Sequence, residues 1–297
     1  MIKKNKVFMQ TYGMPYQGSK RRFAEWILEH LPYSTHLYDI FAGGCAISDC
    51  ALKSNKFRYV HGNDITDSAL FFQDVIKGIL PDMREFISRK EFYAKKDDDA
   101  YIRMSWSFGS DLRTYLYSSK KEDIFRRIHE DIFMDGITTE KEYRERVMVF
   151  REFLKIAIYD VTDADVRRIM SSDLRMPVYE RQKRIYSLSD SFRCFDTERF
   201  IPTMHDYTDI RVESPDSVIY CDIPYFACVN YNKGKFDHDR FYTWCENQSV
   251  PVFISEKWMP EDRFECIAEK ETVSSKCDTD NNYRYTERLF VPKSQIK

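Results

Sequence analysis

The stretch Tyr38-Asp39-Ile40-Phe41-Ala42-Gly43-Gly44-Cys45 organises the reading of the whole chain. His36 to Phe41 forms a short apolar strand that runs directly into Ala-Gly-Gly. Small residues at the end of a strand let a ligand approach the backbone closely. A helix beginning there would present free N–H groups. A lone Gly-Gly pair is equally a plain turn, so the weight falls on its surroundings.

Upstream, Lys20 to Leu31 places Phe23, Trp26, Ile27 and Leu31 at helical spacing, and Pro32 stops the run. Downstream, Phe57 to His61 reads as a second strand ending at Gly62-Asn63-Asp64, and Ala69 to Lys77 as a helix closed by Gly78. Strand, glycine-rich turn, helix, strand and acidic residue make half of a nucleotide-binding α/β sheet. In that setting Asp64 is placed to bond the ribose hydroxyls of a nucleoside; its other reading is a helix N-cap. From about residue 196 the α/β texture returns. Ser217 to Cys221 is a strand running into Asp222-Ile223-Pro224-Tyr225. Asp237 caps a helix from His238 to about Asn247, and Val250 to Ser255 and Tyr285 to Val291 are further strands.

Between these halves the chain is mostly helical and more charged. Asp97-Asp98-Asp99 reads as a loop. Thr139 is placed to cap a helix whose Tyr143, Val147, Phe150, Leu154 and Ile158 share one face. Residues 166–193 hold seven Arg and Lys against three acidic residues, a local net of 7 − 3 = +4. Such a run is either a solvated helix face or a set of phosphate contacts. The candidates for contact are Arg167, Arg168, Arg181, Lys183 and Arg184. The expected organisation is an α/β domain from 1–81 and 196–297 with a helical insert at 82–195.

Composition narrows the class. With 43% hydrophobic and 32% charged residues the chain has an ordinary soluble core. A net charge of −2 argues against a wholesale basic nucleic-acid binder but leaves room for a local basic face. None of the eight cysteines forms a CxxC pair or sits at zinc-finger spacing, so no metal is expected. The start MIKKNKVFMQTYGMP lacks an apolar leader core, and no apolar run reaches membrane-spanning length. A cytoplasmic protein with reduced thiols and no membrane partner is the expectation.

Asp222-Ile223-Pro224-Tyr225 places a carboxylate, a backbone carbonyl and an aromatic ring where a strand ends. Those groups suit a flat amino-bearing ring: two N–H acceptors and a stacking face. The alternative is a simple strand-ending turn. Tyr16-Gln17-Gly18-Ser19-Lys20 is not a P-loop, though Gly-Ser-Lys at a helix start would suit an anion.

The order PYQGSK, YDIFAGGCAIS, HGND, helical insert, YCDIPYF resembles the Dam-type adenine-N6 DNA methyltransferases. It covers roughly residues 14–80 and 205–291. SWSFG at 105–109 and FDHDRFYTWC at 236–245 also look like bacterial and phage members. The resemblance implies a Rossmann-like methyltransferase sheet, S-adenosyl-L-methionine as cofactor and double-stranded DNA as partner. It implies cofactor contacts from Tyr16 and Lys20, the methionine part held by Asp39, Phe41 and Gly43, ribose by Asp64, and adenine by Asp206-Tyr207. It makes Asp222, Ile223, Pro224 and Tyr225 the catalytic turn. Cys45 stands where the family commonly has a third glycine, and Ile223 replaces the first proline of its tetrapeptide. RNA adenine, a protein glutamine, or non-catalytic DNA binding are the alternative functions.

Overall fold

A computed structural model describes residues 11–133, 142, 145, 177–224, 236–273 and 284–296, and structural statements below concern these. Thr139, the stripe from Tyr143 to Ile158, Arg167, Arg168 and Tyr225 lie outside them. By its internal contacts the chain falls into two compact units, residues 1–13, 20–70 and 196–297, and residues 14–19 and 71–195.

The first unit is built on a seven-stranded sheet in the order β3-β2-β1-β4-β5-β7-β6. Its strands are β1 (His36–Asp39), β2 (Tyr59–Asn63), β3 (Phe200–Thr203), β4 (Ser217–Asp222), β5 (Val252–Glu256), β6 (Phe264–Val273) and β7 (Arg284–Pro292). The pairs β1–β2, β1–β4, β2–β3 and β4–β5 are parallel, so these strands all end on one edge. Strand β7 pairs antiparallel with both β5 and β6.

Alternation along the strands divides the sheet into two unlike faces. Tyr38, Ile40, Ile219, Cys221, Val252 and Ile254 join an apolar cluster with Phe241, Tyr242 and Cys245 of helix α8 (His238–Glu246). Asp237 caps that helix as its sequence predicts, accepting from Arg240 N at 3.0 Å. The neighbouring positions face the other way. There helices α1 (Ala24–His30) and α2 (Ala46–Lys53) pack against each other, and α2 packs against β1 and β2.

Several boundaries differ from the sequence reading for local reasons. The run from Lys20 to Leu31 is not one helix. Lys20–Arg22 is a 3-10 turn, closed by Phe23 N donating to Lys20 O at 2.7 Å, and α1 starts only at Ala24. Strand β5 starts at Val252 because Pro251 has no N–H to give to the ladder. Strand β3 contains Pro202 and lies at the sheet edge, and β6 interleaves charges at the other edge, so neither shows a clean alternating pattern.

The turn between β1 and α2 is held by left-handed backbone: Gly43 has φ 50 and Cys45, the N-cap of α2, has φ 56. A residue with a Cβ takes this conformation only at a cost, which explains why glycine suits position 45. Against the turn lies Gly13, with φ +68. Its N–H donates to Asp49 Oδ2 at 2.7 Å, and Asp49 in turn pairs with Lys53 at 2.7 Å.

The second unit is helical. Helix α4 (Arg89–Lys95) begins with a capping box between Ser88 and Glu91. Asp99, from the acidic loop, caps α5 (Ala100–Trp106) by accepting from Ile102 N at 2.9 Å. Helices α6 (Ser119–Phe133) and α7 (Pro177–Ser191) complete the described part. Buried Gln182 of α7 donates to Met83 O and Tyr101 Oη at 3.0 and 2.8 Å. Trp106, Tyr115, Tyr117 and Phe125 are buried in the same unit. Among the described residues no helix is long and apolar enough to cross a membrane.

Gly13→Ala tests the turn. A Cβ there would lie 2.5 Å from Gly44 O and 2.7 Å from the Ala46 backbone, and none of these atoms can swing aside. With the positive φ added, denaturant titration should show a loss of about 2 kcal/mol or more. An unchanged midpoint would show that the turn yields freely.

Candidate active site

Because the parallel strands share an edge, the residues at their ends are gathered there. Asp39 closes β1, Asp64 follows β2, Asp206 follows β3 and Asp222 closes β4.

Asp39 is 1% exposed. Its Oδ2 accepts from Ser48 N at 3.2 Å and Ser48 Oγ at 2.7 Å, which binds the end of β1 to the first turns of α2. Burial pushes its carboxyl up to about 7; the Ser48 bonds oppose this, and the nearby carboxylates of Asp222 and Asp64 add to it. Asp64 is also buried. Its Oδ2 accepts from Gly43 N at 2.9 Å, and its Oδ1 from Thr66 N and Oγ1 at 2.9 and 2.7 Å. It therefore anchors the glycine turn as well as the start of the next helix, a tie that residue spacing alone did not reveal.

Asn63 is a residue the sequence reading passed over. Its amide donates to Ile40 O and His205 O, both at 3.1 Å, and its Oδ1 accepts from Thr203 Oγ1 and His205 N at 2.9 and 3.1 Å. One buried side chain thus clamps the end of β1 to the loop that carries Asp206 and Tyr207. Asp206 Oδ1 accepts from Thr208 N and Oγ1 at 3.0 and 2.7 Å. Against the pull of partial burial, these bonds and Arg240 hold its carboxyl below the usual range. The Phe41 and Tyr207 rings lie 5.5 Å apart, and both also meet Phe236 and Phe241 within 6.0 Å. Two predicted cofactor residues from distant segments therefore form one aromatic wall.

Lys20 departs most from expectation. It is 5% exposed, and its Nζ lies 2.5 Å from Asp222 Oδ1 and 3.7 Å from Glu287 Oε1. It does not wait at a helix start for an anion; it is buried against the residue predicted to be catalytic. Burial pulls its proton affinity down, but the carboxylates of Asp222 and Glu287 more than offset this and hold it above the usual lysine range. Asp222 itself is raised by burial, with Lys20 restraining the shift. Ile223 is 2% exposed within the apolar cluster, and the Pro224 carbonyl lies 3.2 Å from His238 Nε2. His238, seen in the sequence only as a helix start, thus braces the turn.

The remaining predicted residues fall in the second unit. Tyr16 is half-buried, and its carbonyl accepts from Ser19 N at 3.4 Å in a turn where Gly18 has φ 80. Arg181 turns its guanidinium inward to donate to Ser105 O and Ser107 O, both at 2.6 Å. These bonds engage one guanidinium nitrogen, Nη1, of a residue expected to contact phosphate. Lys183 is exposed on α7, and Arg184 is half-buried. No described group of three or more His, Cys, Asp or Glu is arranged to hold a metal ion.

A predominantly parallel sheet with an antiparallel strand slotted between its last two members, and acidic residues where its strands end, is the frame of the S-adenosylmethionine-dependent methyltransferases. The chain matches the D12 class N6 adenine-specific DNA methyltransferases over residues 16–243 and belongs to that family. It is an enzyme that moves a methyl group from S-adenosylmethionine to the N6 amino group of adenine in DNA. No curated protein matches it. The residues present suit that cofactor: the buried acidic groups favour a ligand carrying positive charge, and the Phe41–Tyr207 wall suits a flat ring.

The Asp39 carboxyl gives a pH test on the ligand-free protein. Its raised folded value against 3.8 unfolded means its contribution is present below about pH 4 and is lost as pH rises toward 7. Between those limits the unfolded chain has released a proton that the folded one retains, so Asp39 lowers stability by up to about 1.4 kcal/mol per pH unit. Urea unfolding of Asp39→Asn at a series of pH values should show that slope removed. Parallel curves for the two proteins would mean Asp39 is ionised throughout.

Proposed function

We propose that this enzyme acts on double-stranded DNA in the cytoplasm, drawing the target adenine out of the duplex and holding it at Asp222-Ile223-Pro224-Tyr225. The observation that carries this reading is the position of Asp222, half-buried at the end of β4 and ion-paired to buried Lys20 at 2.5 Å. An adenine amino group is a poor nucleophile while its lone pair is delocalised into the ring. Asp222 and the Ile223 carbonyl accept its two N–H bonds, localise that pair and aim it, while Tyr225 stacks on the base. Lys20 keeps Asp222 ionised, so that it accepts hydrogen bonds and does not donate one.

The cofactor, when bound, supplies an electrophilic methyl on a sulfonium that leaves as a neutral thioether. As the carbon–nitrogen bond forms, N6 becomes positive and then loses one proton to water. The negative Asp222 stabilises the developing charge without needing to take the proton itself. Asp39, Phe41 and Gly43 hold the methionine part, Asp64 the ribose, and Asp206 with Tyr207 the adenine, with Tyr16 contributing from PYQGSK. Lys20, placed against Asp222, serves the catalytic turn more directly than the cofactor.

The helical insert, residues 82–195, recognises the DNA target in this reading. Its phosphate contacts come from Lys183 and Arg184 together with Arg167 and Arg168; Arg181 is committed to the carbonyls of Ser105 and Ser107. Lys183→Gln should reduce the slope of log affinity against log salt by about 0.9. An unaltered slope would return this face to plain solvation.

Asp222→Ala should bind cofactor and DNA as the parent does but transfer methyl at least about 10²-fold more slowly, the usual loss for one preorganised electrostatic group. Asp64→Ala should do the opposite, weakening cofactor affinity by about 10-fold or more through loss of charge-assisted bonds. Single-turnover transfer and calorimetry separate the two. Parent-like transfer by Asp222→Ala would remove residues 222–225 from the chemistry.

A further inference from the structure

Strand β7 brings a second carboxylate to the same lysine. Register aligns Asp222 of β4 with Ser255 of β5, and Ser255 with Leu289 of β7. Because β7 runs antiparallel, Glu287 lies two residues beyond Leu289 toward the edge where β4 ends, and on the same face. Its side chain is 1% exposed, and Oε1 lies 3.7 Å from Lys20 Nζ. Tyr220 Oη donates to Ser255 Oγ at 2.8 Å on that face, completing a polar row through Asp39, Tyr220, Asp222, Ser255 and Glu287.

We propose that Glu287 is a positioning residue for methyl transfer: by sharing Lys20 with Asp222, it keeps the lysine from neutralising the catalytic carboxylate completely and leaves that carboxylate turned toward the target amino group. The proposal rests on the reading of Asp222 above. One ammonium facing one carboxylate would form a neutral pair, and Asp222 would lose much of its attraction for an amino group becoming positive. A second carboxylate on the same ammonium makes the site more negative, where positive charge develops, than a single lysine–carboxylate pair would be. Lys20 is also held from two sides, so it cannot swing across both oxygens of Asp222.

The titratable groups around Asp222 are Lys20 before α1, Asp39 of β1 and Tyr220 of β4, with Glu287 of β7 across the lysine and Cys221 beside Asp222 on the opposite face of the sheet. Removing the Glu287 charge lets Lys20 favour ionised Asp222 more strongly. The acidic limb of the rate profile should therefore move to lower pH, although the enzyme is slower. A purely structural role would lower the rate without that shift.

The experiment is single-turnover methyl transfer to DNA by Glu287→Gln, Lys20→Met and the double variant, with cofactor affinity measured by calorimetry. Glu287→Gln should lose roughly 10- to 100-fold in rate, the usual cost of a supporting group one step from the reacting atoms. Its cofactor affinity should stay within about 2-fold, and its acidic limb should move down. In the Lys20→Met background the same change should cost little, because Glu287 acts through Lys20. Equal losses in both backgrounds, or a parent-like Glu287→Gln, overturn the proposal. If Glu287→Gln does not fold, Glu287→Asp is read instead: a partial loss with the limb lowered supports the proposal, and a parent-like rate refutes it. An inactive Asp222→Ala beside a parent-like Glu287→Gln would refute this inference alone, whereas an active Asp222→Ala would refute the underlying reading.

Discussion

The ion pair between buried Lys20 and half-buried Asp222 is the constraint around which this edge of the sheet is arranged. It joins groups 202 positions apart in sequence at a separation of 2.5 Å. Desolvation of the lysine offsets much of the attraction, so the pair adds little net stability. Its contribution is therefore geometric. Once Lys20 is drawn inward, the backbone around it closes as a 3-10 turn, and α1 is delayed to Ala24. The same pairing restrains the rise that burial imposes on the Asp222 carboxyl.

A sheet with one apolar face and one polar row at its edge separates two tasks. The apolar face, filled by Phe241, Tyr242, Ile219 and Ile254, supplies burial and rigidity. The polar row can then carry charge without also having to hold the fold together. Where the two tasks meet, the side chains have double duties. Asn63 joins the end of β1 to the loop bearing Asp206 with four hydrogen bonds, and Asp64 ties the Gly43 amide to the next helix start. Both residues belong to one tripeptide, Gly62-Asn63-Asp64, so the glycine turn, the second strand and the loop bearing Asp206 are set by a single corner of the chain.

Much of this was legible in the sequence where a signal is local. The apolar runs before Gly43 and Asp222 gave strands, Asp237 gave a cap, and PYQGSK through DIPY pointed to the family. What was illegible depends on pairing between distant segments. Lys20 looks like an anion site beside Gly18-Ser19, and only the meeting of β4 with the segment before α1 shows that it faces Asp222. Glu287 sits in a strand of alternating charge, and nothing near it marks it as buried. Arg181 and Lys183 look equivalent in the basic stretch, yet they are two residues apart on a helix, and the 3.6-residue period turns one toward carbonyls and the other to solvent. Strand β3 was invisible because a proline at a sheet edge breaks the pattern by which strands are read.

Ile223 shows how a departure from a family's pattern is absorbed. A proline at this position would restrict the unfolded chain and preset φ, an advantage of about 0.4–1 kcal/mol. Isoleucine gives that up but drives its side chain into the apolar cluster at 2% exposure, and full burial of such a group is worth about 1.5–3 kcal/mol. The retained Pro224 still fixes the next residue, and its carbonyl is met by His238 from the start of α8. The turn is thus held from its apolar side by Ile223, from its far end by His238 and from its polar side by Lys20. The atom that the proposed mechanism asks of position 223 is the backbone carbonyl, which is the same in either residue. Rigidity that proline would have supplied through its ring is supplied here through packing, so on that proposal the substitution changes the source of preorganisation and keeps the carbonyl it needs.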